Sequence, residues 1–329
     1  MTKYYFKQVL LTQCLLFFSL NANAKWFEYE QSIMGTRIAV EFFAESESLA
    51  DNCSTSVFNE MNRVDALMSP YIEESELATI NRNAAAKPVK ISKELFKLLQ
   101  RSIEFSELSD GAFDITFASV GFLYNYREHK RPSDEKIGQH LDAISFKNIK
   151  LNKKEQSVAF SHKDTKIDLG GIAKGHAVDN AIEILRNCGI QNALVTAGGD
   201  SRILGDKNGR PWVMGIRHPR DRTKVVVRIP LSNAAISTSG DYERYFVENG
   251  KRYHHIIMPS TGKSVSHSWS VSILANDTLT SDALSTTLFV LGTEKGLQLI
   301  NSLNEVEAIV IDAKGKMFYS NGLMPPAVH

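Results

Sequence analysis

Charge of one sign, cysteine and long apolar runs are all scarce in this chain. Its 38 Lys and Arg face 37 Asp and Glu, a formal net charge of +1 over 329 residues. That balance gives no push towards nucleic acid or an acidic membrane surface. The 3 cysteines are too few for the disulfide framework of a small secreted domain, and no Cys and His stand at zinc-site spacing. The apolar run from Val9 to Leu20 is too short to cross a bilayer comfortably. No internal repeat, low-complexity tract or obvious linker divides the chain. What remains is ordinary globular composition, 43% hydrophobic and 23% charged, enough to bury a full core.

Residues 1–24 read as a secretory signal. Lys3 and Lys7 form the positive region, Val9 to Leu20 the apolar one, and Ala22-Asn23-Ala24 a cleavage site. Removing this segment takes two cations and no acid, turning +1 into −1. Gln13 stands before Cys14 where lipidation needs a small residue, so lipoprotein processing is not expected; an uncleaved anchor is the alternative. The expectation is one exported domain over residues 25–329, periplasmic where the host has two membranes. Association with the inner membrane would come only through an acceptor or an uncleaved leader. Cys53 and Cys188 would remain, either as one disulfide or as two buried thiols.

Strand signals outnumber helix signals, mostly as hairpin-like neighbours. Trp26 to Phe43 reads as two strands around a turn at Met34-Gly35-Thr36. Ser48 to Met68 has helical spacing and stops at Pro70, and Ser92 caps a helix that Ser109-Asp110-Gly111 ends. Lys166 to Leu169 reads as a strand, and Gly175 to Cys188 as a helix with Gly189 just beyond it. Ala234 to Thr238 and Tyr253 to Met258 each read as one strand, Ser237 to Phe246 as a polar loop entering an aromatic strand, which could line a ligand or be a solvated hairpin, and Thr280 to Leu291 as a helix. The fold class is α+β, a largely antiparallel sheet system with packed helices.

The segment Ile167-Asp168-Leu169-Gly170-Gly171-Ile172-Ala173-Lys174-Gly175-His176 is the most informative. A Gly-Gly turn opening a helix, with a lysine in the first turn, presents N–H groups and a cation to a phosphate. It is neither a P-loop nor a G-x-G-x-x-G fingerprint, and such a turn is often only a tight connection. Asp168 could pair with Lys174, cap the helix or accept from a ligand. Downstream, Asp282 and Thr286 stand four apart, on one helix face, with Ser285 beside them. These are the hard oxygen donors that Mg²⁺ prefers; alternatively Asp282 is a favourable first-turn acid. Of His254 and His255, neighbours on a strand, only one can face a given site. Histidine suits proton transfer from a hydroxyl near neutral pH. Phe113 and Tyr71 could stack on a flat ring.

In order along the chain, seven segments resemble those of the flavin transferase (ApbE) family, the FAD:protein FMN transferases. They are Ser69-Pro70-Tyr71, Gly111 to Thr116, Asp168 to Gly175, Ala197-Gly198-Gly199-Asp200, Ser237 to Phe246, His255 to Gly262 and Ser281 to Thr286, within a likeness that runs from Met34-Gly35-Thr36 to Gly292. The resemblance implies Mg²⁺-dependent cleavage of FAD at its pyrophosphate, with FMN passed to a Thr or Ser hydroxyl of an acceptor flavoprotein and AMP released. Acceptors would carry a motif like D-G-x-[S/T]-G-[A/S]-T, as in subunits of Na⁺-translocating quinone reductases and Rnf-type complexes. It implies FAD contacts from Met34, Tyr71, Ala112, Phe113, Asp114, Asp168, Lys174 and Ile257. Mg²⁺ ligation falls to Asp282 and Thr286, with the Gly171 carbonyl and Ser285 assisting, and His255 matches the base. One position departs: Met258 stands where the family usually has Asp before Pro, removing a carboxylate whose expected role is turn geometry or secondary support. Hydrolysis of FAD to FMN and AMP, and flavin binding without turnover, are the competing readings of the same site.

Overall fold

The computed structural model describes residues 24–324, so the proposed leader, apart from Ala24, lies outside the described residues. The first hairpin forms where the alternating apolar residues place it. Lys25–Ile33 pairs antiparallel with Thr36–Ala44, and Ile38, Val40 and Phe42 all point into the core. Met34 and Gly35 between them have φ of 55° and 68°, the positive pair that a two-residue hairpin turn demands.

This hairpin forms one edge of an eight-stranded sheet. The spatial order is Lys25–Ile33, Thr36–Ala44, Ala193–Ala197, Asp200–Leu204, Ala235–Gly240, Ser268–Ala275, Glu307–Asp312 and Met317–Tyr319. Every neighbouring pair is antiparallel. Helices cover one face: Glu47–Met68, Ala173–Asn187 (the lysine helix) and Thr278–Leu291 (the aspartate helix). The aspartate helix is buried on most of its surface, polar residues included; Leu284, Leu288 and Phe289 are at most 1% exposed. A two-stranded ribbon, Trp212–His218 with Asp221–Leu231, packs Ile216 on Ile236 and Ile309 to form a smaller core. Because Ile236 and Ser237 are strand neighbours and both buried, the sheet centre is covered on both faces. Among the described residues no helix is long and apolar enough to cross a membrane.

Cys53 and Cys188 are joined as a disulfide across 135 residues, tying the first long helix to the end of the lysine helix. This decides between the two states left open by the sequence.

Three expected elements differ. Lys166 to Leu169 is not a strand: the Asn81 side chain occupies the position of a neighbouring strand, donating to Ile167 O and accepting from Ile167 N, both at 2.8 Å. Tyr253 to Met258 is two strands, Lys251–His254 and Ile257–Met258, broken at His255. The strand expected over Ala234 to Thr238 runs Ala235–Gly240, two residues further into the segment that reads as a polar loop. Its polar residues face partner hydroxyls.

Candidate active site

Lys174 sits in the first turn of the lysine helix, which starts at Ala173, two residues before the expected Gly175. Its Nζ lies 2.9 Å from Asp200 Oδ2, 3.3 Å from Asp282 Oδ2 and 3.1 Å from Gly170 O. Asp200 and Asp282 are only 2% and 3% exposed. The lysine pKa is held above its ordinary range; burial alone opposes the charge, and the two carboxylates together outweigh it. Asp282 is pushed up to about 7, by burial first and the charge of Asp200 second, against the pull of Lys174. One ammonium thus serves two buried carboxyl groups, and with both ionised the cluster is short of one positive charge.

Asp282 also accepts from the Gly175 N–H at 3.0 Å. It is not the first-turn acid of its own helix, which begins at Thr278 and is capped by Asp277. Instead it occupies the anion position at the start of the lysine helix. The neighbouring Ile172 and Ala173 N–H groups turn back to Leu169 O. The helix start therefore has fewer open donors for a phosphate than its Gly-Gly sequence suggests, and the cation itself is its main asset. Asp168 takes none of the lysine: its Oδ1 accepts from Gly170 N at 2.6 Å, and burial pushes its pKa up.

The approach of the two helices depends on Gly175. A Cβ there would lie 2.4 Å from Thr278 O and 2.8 Å from Leu279 Cα, both backbone. We predict that Gly175→Ala forces the helices apart, lowers stability by about 1–3 kcal/mol and weakens transfer by separating Lys174 from Asp282. Thermal unfolding with activity measured alongside checks this; unchanged values would mean that the contact is not tight.

Hydroxyls line the other side. Ser237 Oγ meets Ser281 Oγ at 2.8 Å, and Ser239 Oγ meets Ser285 Oγ at 2.8 Å and Thr286 Oγ1 at 3.3 Å. The match is geometric: two residues along a strand rise roughly 6.6 Å and four along a helix roughly 6 Å. Ser285 Oγ is also bonded to Asp282 O at 2.8 Å, so it is the more committed of the two candidate ligands. Gly171 is wedged beside this row; a Cβ on it would lie 3.3 Å from both Thr286 Oγ1 and Phe113 Cε2. Asp282, Thr286 and Gly171, the proposed metal positions, are thus brought together.

Several of the proposed FAD contacts adjoin this row or one another, Phe113 through Gly171 and Tyr71 and the Met34 turn through Arg244. Tyr71 is 78% exposed. Its phenol is pushed upwards by desolvation of its hydroxyl and by the charge of Asp168, with Arg244 and Arg127 pulling it back. A Cβ on Gly35 would lie 3.4 Å from Arg244 Nη2, which places the Met34 turn against that arginine. Phe113 is buried and Ala112 half-buried. Asp114 has both oxygens engaged, by Thr116 at 2.8 and 2.6 Å and by Phe146 N at 2.7 Å, so it caps the short helix Ile115–Phe117 that follows Phe113. Ile257 is 4% exposed in a small cluster with Val120, Tyr124 and Ile137.

The two histidines have separate tasks. His254 Nε2 donates to Val265 O at 2.5 Å while its Nδ1 accepts from Ile256 N at 3.3 Å, the neutral tautomer that both bonds require. His255 lies in the break between strands, its N–H donating to Arg244 O at 3.1 Å and its Nδ1 buried without a partner. Burial first, then the positive charges of Arg244 and Lys174, push its pKa down to about 3. The Met258 turn closes through its own backbone, Met258 O accepting from Thr261 N at 3.1 Å and Gly262 N at 2.9 Å, so no carboxylate is needed to form it.

A neutral buried His255 has a measurable cost. The unfolded chain binds a proton below about pH 6.5, whereas the folded chain does so only near pH 3, so stability falls as pH drops through that window. We predict that wild type loses about 2 kcal/mol more than His255→Asn between pH 7 and pH 5, read by urea unfolding. Equal losses would mean that His255 is not buried neutral.

The sequence pattern gives Asp200 no role, and Ser239 and Arg244 only a place in a polar segment that could line a ligand, although all three lie in segments that carried the resemblance. For Asp200 the signal was an acid directly after Gly198-Gly199 at the start of an apolar strand.

Residues 34–310 match the ApbE family. A curated relative named FAD:protein FMN transferase, from Haemophilus influenzae, is 33% identical over 291 residues, 84% of each chain. The crystal structure of the ApbE protein of Thermotoga maritima superposes with a TM-score of 0.84 at 35% identity, covering 91% of this chain and 98% of that one. The flavin transferase ApbE of Vibrio cholerae gives 0.81 at 26% identity, covering 91% and 98%.

Proposed function

The chain belongs to the ApbE family, and from that premise we propose that it cleaves FAD with the help of Mg²⁺, placing FMN on a Thr or Ser hydroxyl and releasing AMP. It is a flavin transferase, with FAD as substrate and a protein as acceptor. The observation that carries the finer reading is the buried charge deficit at Lys174, Asp200 and Asp282, beside a row of hydroxyls.

That donor set suits a small hard cation. Among the described residues no three His, Cys, Asp or Glu side chains form a metal cage. Mg²⁺ needs none: it commonly takes one or two carboxylates and fills its shell with phosphates and water. Asp282 and Thr286 would hold it, with the Gly171 carbonyl, and Ser285 in support. Bound there, it would supply charge neutralisation on the pyrophosphate.

The chain's own residues do the rest. Lys174 Nζ offsets charge on the bridging oxygens and on departing AMP. Met34, Tyr71, Ala112, Phe113, Asp168 and Ile257 contact FAD, and Asp114 caps the short helix that follows Phe113. The acceptor oxygen attacks the FMN phosphorus in line as the bond to AMP breaks. His255, neutral in the free protein, takes the hydroxyl proton.

The acceptor is a flavoprotein bearing a D-G-x-[S/T]-G-[A/S]-T-like motif, as in quinone reductase or Rnf-type subunits. Export fits this assignment. The leader signal precedes the fold, and a disulfide between Cys53 and Cys188 suits an oxidising compartment. Mass spectrometry of such an acceptor, incubated with the protein, FAD and Mg²⁺, tests the proposal. Covalent FMN on the motif hydroxyl is expected; an unmodified acceptor beside free FMN and AMP would make the protein a pyrophosphatase.

A further inference from the structure

The near-neutral total charge conceals a local excess. From Lys207 to Leu231 there are seven basic residues and one acid, Asp221, so this segment carries +6 and the rest of the chain −5. The segment is the two-stranded ribbon and its leading turn. The ribbon's inner face is spent on packing: Ile216, with Met214, Val227 and Ile229, lies against Ile236 and Ile309 of the sheet. The outer face is exposed and mixed. Val213 is 62% and Val225 39% exposed, and Arg217, Lys224 and Arg228 are exposed around them. Arg210, Arg217 and Arg228 make no ion pair with any described residue, while Lys224 meets only Asp221, at 3.0 Å.

We propose that this outer face docks on an anionic lipid surface. A multivalent array of cations on a flat ribbon attracts acidic headgroups without needing shape complementarity, and each is worth roughly a five-fold gain in binding. The two valine tips add a little apolar contact at headgroup depth. A protein partner is the weaker match. Hot spots centre on aromatic or arginine anchors in well-packed pockets, and the exposed apolar side chains of this face are the two valines. The eight-stranded sheet lies between the ribbon and the helices that carry Lys174 and Asp282. Docking on this face therefore leaves the flavin site uncovered.

The test is vesicle co-sedimentation of the chain from Lys25 onward, which contains every described helix and strand. Phosphatidylglycerol–phosphatidylcholine vesicles should pellet it, pure phosphatidylcholine should not, and added salt should release it. Arg217→Glu with Arg228→Glu should weaken binding by at least roughly 25-fold while FMN transfer to a soluble acceptor peptide is unchanged, which shows that the variant is folded. Equal binding to both vesicles, or undiminished binding by the variant, would overturn the proposal. So would binding to polyglutamate but not to vesicles, which would make the face a docking surface for acidic protein.

Discussion

Replacing Asp282 with alanine is expected to lower FMN transfer by on the order of a thousand-fold, with the protein still folded. The carboxylate has two tasks. It is the only acid on the aspartate helix facing the hydroxyl row, so a cation there loses its one anionic protein ligand. It also shares Lys174 with Asp200 and so sets where the ammonium points. Stability should change little, because the loss of the Gly175 N–H acceptor is offset by removing a buried carboxyl that Asp200 repels. Lys174 keeps Asp200 at 2.9 Å. Steady-state transfer at several Mg²⁺ concentrations, with thermal unfolding alongside, separates these effects. Unchanged turnover would contradict the metal assignment.

Lys174→Met should be damaging in a different way. Methionine fills the same space without the charge, leaving Asp200 and Asp282 buried beside each other with no cation between them. Removing one member of a buried ionic cluster costs about 3–5 kcal/mol. Transfer should fall as far as in the Asp282 variant, since the pyrophosphate loses its ammonium partner. The informative control is the double variant Lys174→Met with Asp200→Asn. Removing the second carboxylate should restore most of the stability and none of the activity. If Lys174→Met alone unfolds no more easily than wild type, the cluster is not ionised as described.

Much of this was readable from residue order, and the exceptions share a cause. The Met34-Gly35 hairpin, the Ser92 cap with its Leu95 N–H bond and the ending of the lysine helix before Gly189 all follow from local rules. Local rules failed where a side chain from elsewhere completed the structure. Asn81 holds Ile167 where a strand was expected, and Ser285 and Thr286 meet Ser239 beyond the expected strand end at Thr238. That polar continuation has no hydropathy signature, because its partners are hydroxyls supplied by a helix about 40 residues later.

The site divides the same way. Lys174, Asp282, Thr286 and His255 stood out because each residue type suits a step of the chemistry. Asp200 did not, since its importance lies in sharing one lysine with Asp282, a relation that no spacing along the chain reveals. Between His254 and His255 residue type left the choice open, and the resemblance alone pointed to His255. Only the structure shows His254 bonded through both ring nitrogens and His255 with an open Nδ1. The net charge misled in one respect: a sum of +1 hides a basic ribbon on the back of the sheet.

In the proposed reaction the lysine helix and the aspartate helix close on the pyrophosphate of FAD from two sides. Phosphorus NMR of FAD bound to excess protein, with Mn²⁺ replacing Mg²⁺, tests it most directly. Both phosphorus lines should broaden strongly in the wild-type complex and stay far sharper in Asp282→Ala at the same Mn²⁺ concentration. Lines that remain sharp in the wild type, or broaden equally in the variant, would show that no cation is held between Asp282 and the phosphates.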